Sequence, residues 1–315
     1  MKNLSYDRSP LPPLVIRSSE LNLDLIAALD RSNVAHPTSR ISDSFWAVVE
    51  QLHEMLVALD FGSLDAQSRD RRKRSILGNM ELLMHRLAAL NDYLGNLIRA
   101  LLPIAPGQKK NREAEAAKHR LDDQVNRFYK MPINFIKHDG FGLSWIEMNS
   151  GDLVTHGYMV TGPIGGGVQG PIKFRRPGRD DPDGYSFALT LREVLVAFYQ
   201  MCATTEEVLR KAGVLTTASK EKPSAVNGKE SVIDDVRSIL LSETLELLNQ
   251  LPFRGFPDEH QIRVPVFSVR DGTVMARTSP LRKLPGAFQI QSELRSVRGG
   301  GRYRLPYWRG SDSEL

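Results

Sequence analysis

Asn134, Lys137 and His138 stand three and four positions apart in the run Asn134-Phe-Ile-Lys-His-Asp-Gly140. On a helix that spacing brings an amide, a cation and an imidazole to one face, a set able to grip an anion and to move a proton near neutral pH. His156, eighteen positions beyond His138, is the histidine that could converge on it in space.

The Asn134-x-x-Lys137-His138 run resembles a stretch found at helix ends in HEPN-like helical proteins of bacterial defence and toxin–antitoxin systems. The resemblance rests on those three residues and covers at most residues 42–150. It implies a helical bundle and metal-independent RNA cleavage, performed by an Arg followed after four to six residues by a His, with two subunits contributing. The positions where that Arg belongs before His138 hold Met131, Pro132 and Ile133, so the catalytic pattern is not met there. The spacing recurs at Arg31/His36, Arg112/His119 and Arg254/His260, about as often as chance places it, and only Arg112/His119 falls on an expected bundle helix. If the chain is an enzyme, ribonuclease is the reading, with His138, Lys137, Asn134, Arg112 and His119 as its candidate residues.

A second candidate is Gly162-Pro-Ile-Gly-Gly-Gly-Val-Gln-Gly170, which contains GxGxxG at Gly165, Gly167 and Gly170. A dinucleotide fingerprint needs a helix after those glycines to meet the pyrophosphate. Here Pro171-Ile-Lys-Phe follows and reads as a strand, so the expectation is a hairpin loop, or a backbone contact to phosphate aided by Lys173, Arg175 and Arg176. The absence of a following GK[ST] excludes a P-loop. Asp180, Asp181 and Asp183 sit among Pro182 and Gly184, where a polar turn competes with a cation site. No HExxH, GxSxG or spaced Cys/His set is present, and neither a metal nor a cofactor is expected.

Basic residues number 42 against 37 acidic, a net charge of +5, but they cluster. Arg69, Arg71, Arg72, Lys73 and Arg74 form one group; Lys173, Arg175, Arg176 and Arg179 a second; Arg295, Arg298, Arg302, Arg304 and Arg309 a third, interleaved with Gly, Tyr and Trp. Such groups can follow a phosphate backbone while rings stack on bases. Solvation of loops and a helix start is the plainer account. Arg71, Arg72, Arg74, Lys173, Arg175, Arg176, Arg302, Arg304 and Arg309 are the candidate nucleic-acid contacts. Nucleic acid, a protein partner or a second copy of the chain are the admissible partners.

The elements that must carry these residues follow from apolar periodicity. Phe45, Val48, Val49, Leu52, Met55, Leu56 and Leu59 mark a helix over 42–60, preceded by a shorter one over 19–30. A helix of about 30 residues starts near Asp70 and ends before Pro103; another starts at Asn111 and meets Pro132. Together they predict an antiparallel bundle. Two long helices, 187–212 and 231–250, alternate with short antiparallel strands at 156–161, 171–175, 261–269 and 273–276. Val232, Val236, Ile239, Leu240, Leu247 and Leu248 are expected to share the buried face of the last helix, and Pro265 marks an edge strand. The fold class is therefore α+β, predominantly helical: a flexible segment 1–18, a bundle 19–150, a mixed part 151–294 and a basic tail 295–315.

No apolar run is long enough to cross a bilayer, and 1–13 is polar and proline-bearing, so a cytoplasmic protein is expected. Cys202, in an apolar helical stretch, is read as an inert buried thiol. Function reduces to a nucleic-acid-binding protein, RNA favoured, of a bacterial defence or toxin–antitoxin system, or else a non-catalytic assembly subunit.

Overall fold

The computed structural model describes residues 2–3, 10–12, 14, 23–102, 104, 106–107, 109–125, 129–172, 183–215, 230–252, 254–256, 259, 263–270, 273–280, 289–292 and 302–303. Within them the chain is predominantly helical, with antiparallel strands, as its periodicity predicts. The helices are α1 (Leu23–Arg31), α2 (Pro37–Ala58), α3 (Ala66–Leu101), α4 (Arg112–Val125), α5 (Met131–Asp139), α6 (Phe187–Lys211) and α7 (Glu230–Gln250). The candidate positions Lys173, Arg175, Arg176, Arg304 and Arg309 lie outside the described residues, and Arg302 is described only as backbone in a short strand.

Local chemistry sets the helix starts. Asp65 caps α3, its Oδ1 accepting from Ser68 N at 2.9 Å, and Ser186 Oγ accepts from Leu189 N at 3.3 Å to cap α6. Pro132 stands in the first turn of α5, where a proline is tolerated, and α5 ends on the left-handed Gly140; the stretch between Val125 and Tyr129, where the expected interruption would be read, lies outside the described residues. The long α3 is gripped from several sides. Gln51 Nε2 donates to Asn79 O at 3.1 Å from α2, and Asn91 Nδ2 donates to Asp122 Oδ1 at 2.7 Å on α4.

The central hairpin is longer than the short strands expected. β2 (Gly142–Ser150) and β3 (Leu153–Gly165) pair antiparallel through the two-residue turn Gly151-Asp152, with Gly151 at φ +59°. β4 (Val168–Pro171), β5 (Tyr185–Ser186), β8 (Gln289–Ser292) and β9 (Arg302–Tyr303) extend it in the order β8-β2-β3-β4-β9, with β5 also on β3; β4–β9 is the parallel pairing. A separate three-stranded sheet runs β1-β7-β6, from β1 (Lys2–Asn3), β7 (Thr273–Pro280) and β6 (Arg263–Arg270). Pro265 does lie on its edge strand, β6.

One hydrophobic cluster runs from Leu14 through the bundle and α6 to Ala276. α6 packs against both α3 and α4, and the 150/151 division falls inside the β2–β3 turn, so the bundle and the later helices share a core. The expected buried face of α7 is rotated. Leu241, Thr244, Leu245 and Leu248 are buried, whereas Val236 and Ile239 are 62% and 58% exposed. Thr244 tolerates burial because its Oγ1 donates to Leu240 O at 2.7 Å, so this polar residue marks the inner face.

Candidate functional site

Two of the sequence candidates, Arg71 and Arg74, share the exposed face of α3. Arg71, Gly78 and His85 recur every seven residues, two helical turns, and so form one stripe, with Arg74 and Leu82 beside it. Arg71 and Arg74 are exposed and Leu82 is 43% exposed. Gly78 has no neighbour within 4 Å of where a Cβ would stand, leaving the helix backbone open to close approach. Arg74 Nε donates to Asp70 O at 3.2 Å, an attachment that leaves the rest of its guanidinium outward. Arg72 is turned aside and donates to Asp60 O, and Lys73 points the other way, into the sheet.

α5 joins this face at its far end. Asn134, Lys137 and His138 are all exposed on the short helix, as their spacing predicts, while Pro132 and Ile133 are buried beneath them. Lys137 lies within electrostatic reach of His85: burial first, then the Lys137 cation, push that imidazole below its usual range, against the pull of Glu81. The stripe from Arg71 to His85 spans about 21 Å at 1.5 Å per residue.

His156 does not join His138. It sits on β3 opposite Glu147 of β2, with its Nδ1 3.6 Å from Glu147 Oε1. The same oxygen takes Lys73 Nζ at 3.0 Å and the Trp145 indole N–H at 2.7 Å. The imidazole is walled by the rings of Phe61 and Trp145, at centroid distances of 5.2 and 5.5 Å. Burial opposes ionisation of Glu147, but its contacts with His156, Lys73 and Trp145 prevail and hold the carboxyl at about 2. Lys73 and His85 are twelve residues apart on α3, about 18 Å, so the two imidazoles belong to different surfaces.

The remaining candidates separate further. Arg112 and His119 are exposed on one face of α4, two turns apart, with Glu115 between them. The glycine segment is a hairpin: Gly165, Gly166 and Gly167, at φ +109°, +60° and +76°, turn β3 into β4. Strand rather than helix follows, so no dinucleotide fingerprint is formed. Gly162 lies against the Phe141 ring, which stacks on Phe135 of α5 at 5.2 Å. Asp183 is buried, and Asp180 and Asp181 lie outside the described residues. Cys202 is fully buried in α6, where desolvation drives its thiol pKa upward.

Sequence reasoning missed His85 and the Lys73–Glu147–His156 set. A signal existed for the second: Gly151-Asp152 is a two-residue hairpin turn, and counting outward from it pairs Glu147 with His156. No family of known proteins, no curated protein and no solved structure matches this chain.

Proposed function

We propose that this protein binds nucleic acid, RNA favoured, along the outer face of α3 and the adjoining end of α5. The observation that carries the reading is the placing of Arg71 and Arg74 on one exposed face of α3, with Gly78 leaving the backbone open beside them and the exposed Lys137 of α5 within electrostatic reach of His85 farther along the helix. Cations placed this way pair with successive phosphates, and each phosphate neutralised releases condensed counterions. Glu81 and Asp70 flank the stripe and limit its field, so contact is expected to be local and salt-sensitive. The test is fluorescence anisotropy with a labelled single-stranded RNA and a matched DNA at several salt concentrations. Binding whose logarithm falls linearly with log salt supports the reading; salt-independent binding, or none at low salt, removes it.

A second reading, an assembly subunit without a nucleic-acid role, is favoured by α7, where Val236 and Ile239 hold two large apolar side chains in water one turn apart. Sedimentation of the wild type and of Val236→Asp/Ile239→Asp tests it, self-association abolished in the variant being the supporting result.

A further inference from the structure

Where α3 ends and α4 begins, the chain encloses an open hollow of about 370 Å³, lined by Arg99, Ile104, Lys109, Lys110, Asn111 and Glu115. That volume lies at the small end of the range for ligand sites. Its wall is braced: Arg99 Nε and Nη2 donate to the two carboxylate oxygens of Glu115 at 2.9 and 3.2 Å, a two-pronged pair that spends the carboxylate on the arginine. Lys110 also lies within electrostatic reach of Glu115. Three cations against one carboxylate leave the lining with an excess of two positive charges. Ile104 adds an apolar component, since it lines the same hollow yet is 55% exposed.

We infer that this hollow takes a small ligand carrying a phosphate on an apolar or aromatic body, the chemistry of a mononucleotide. The phosphate meets the Lys109 and Lys110 ammonium groups, and the body covers Ile104. Neither half suffices alone: a free anion leaves Ile104 wet, and an uncharged body leaves the lysines without a counter-charge. The site stands apart from the nucleic-acid reading, because Arg99 lies twenty-eight residues along α3 from Arg71, about 42 Å at the helical rise.

The test is calorimetric titration of the whole chain with AMP, adenosine and inorganic phosphate. AMP is expected to bind saturably, with adenosine and inorganic phosphate each at least about tenfold weaker. Lys109→Ala/Lys110→Ala should weaken AMP about tenfold or more, and Ile104→Ser should bring AMP down toward inorganic phosphate. Arg71→Ala/Arg74→Ala should leave AMP binding unchanged while lowering RNA affinity, which keeps the two surfaces distinguishable. Absence of saturation at millimolar AMP, binding insensitive to the double lysine change, or inorganic phosphate binding as tightly as AMP would each overturn the inference. The substituted side chains are at the surface, and thermal melting of each variant confirms that it folds.

Discussion

Glu147 and His156 face one another across the β2–β3 hairpin, His156 Nδ1 3.6 Å from Glu147 Oε1, and Lys73 of α3 closes on the same oxygen. A carboxylate shared by an ammonium, an indole N–H and an imidazole is held in its ionised form. The set fastens the longest helix to the central sheet at a point where the core gives way to solvent: the side chains of Lys73, Glu147 and His156 are 16%, 14% and 29% exposed.

Glu147→Gln keeps the shape and removes the charge. Because the folded carboxyl titrates near 2 rather than at its ordinary 4.5, the wild type carries at most about 3 kcal/mol of stability from this group above the ordinary value. That stability is lost as pH falls from about 4.5 through about 2. Urea unfolding should therefore show Glu147→Gln less stable than wild type at pH 7 by about 1–3 kcal/mol, with the gap roughly halved or smaller at pH 3. A gap that stays constant with pH would show that the charge is not what holds these groups together.

Glu193 has the opposite sign. Burial on α6 raises its carboxyl to about 7. The folded chain keeps this proton to about pH 7 while the unfolded chain loses it near 4.5, so the stability contribution falls as pH rises through that window. Glu193→Gln removes the dependence. The variant should gain about 2–3 kcal/mol on wild type between pH 5 and pH 8, read from unfolding midpoints at the two pH values.

The fold class and most helices were legible because a one-sided apolar stripe leaves a strong 3.6-residue signal. α2 and α3 carry Phe45 and Leu87 on such stripes, and both residues are fully buried, whereas α6 is buried around most of its circumference. β2 was not legible by alternation: Leu143, Ser144, Trp145 and Ile146 are all buried, since one face meets α3 and α6 and the other meets Phe256, which erases the two-residue period. The inner face of α7 was misread because Thr244, bonded to its own helix, points inward while Val236 and Ile239 point out. The candidate site was legible in pieces. Spacing put Asn134, Lys137 and His138 on one face, but the approach of Lys137 to His85, 52 residues earlier, depends on how α5 packs on α3. Long-range packing of that kind leaves no local mark.

Gly157, opposite Ile146 in the hairpin, tests how closely the sheet is packed. A methyl group there would meet the backbone oxygen of Tyr185 and the ring of Phe256, neither of which can withdraw without moving β5 or the Ile146–Met148–Phe256 cluster. Gly157→Ala should cost about 3 kcal/mol, seen as a lowered urea midpoint. Gly166→Ala, at φ +60° in open space, meets no neighbour and bears only backbone strain of about 1 kcal/mol.

The α3 face makes the most direct functional prediction. Arg71 and Arg74 each offer one cation to one phosphate, so Arg71→Ala/Arg74→Ala should flatten the slope of log affinity for single-stranded RNA against log salt by about 1.4, roughly 0.7 for each arginine removed. Affinity at low salt should fall in parallel and for all sequences alike, because pairing with phosphates carries no base information. Arg72→Ala is the internal control: its guanidinium is committed to Asp60 O, so it should alter stability more than the salt slope. Lys137→Ala should lower the slope again, and by relieving His85 of a neighbouring cation it should also let that imidazole titrate at higher pH, observable by NMR. An unchanged slope in the double arginine variant, with the His85 shift still present in Lys137→Ala, would leave the packing of α5 on α3 intact and dismiss this face as the nucleic-acid surface.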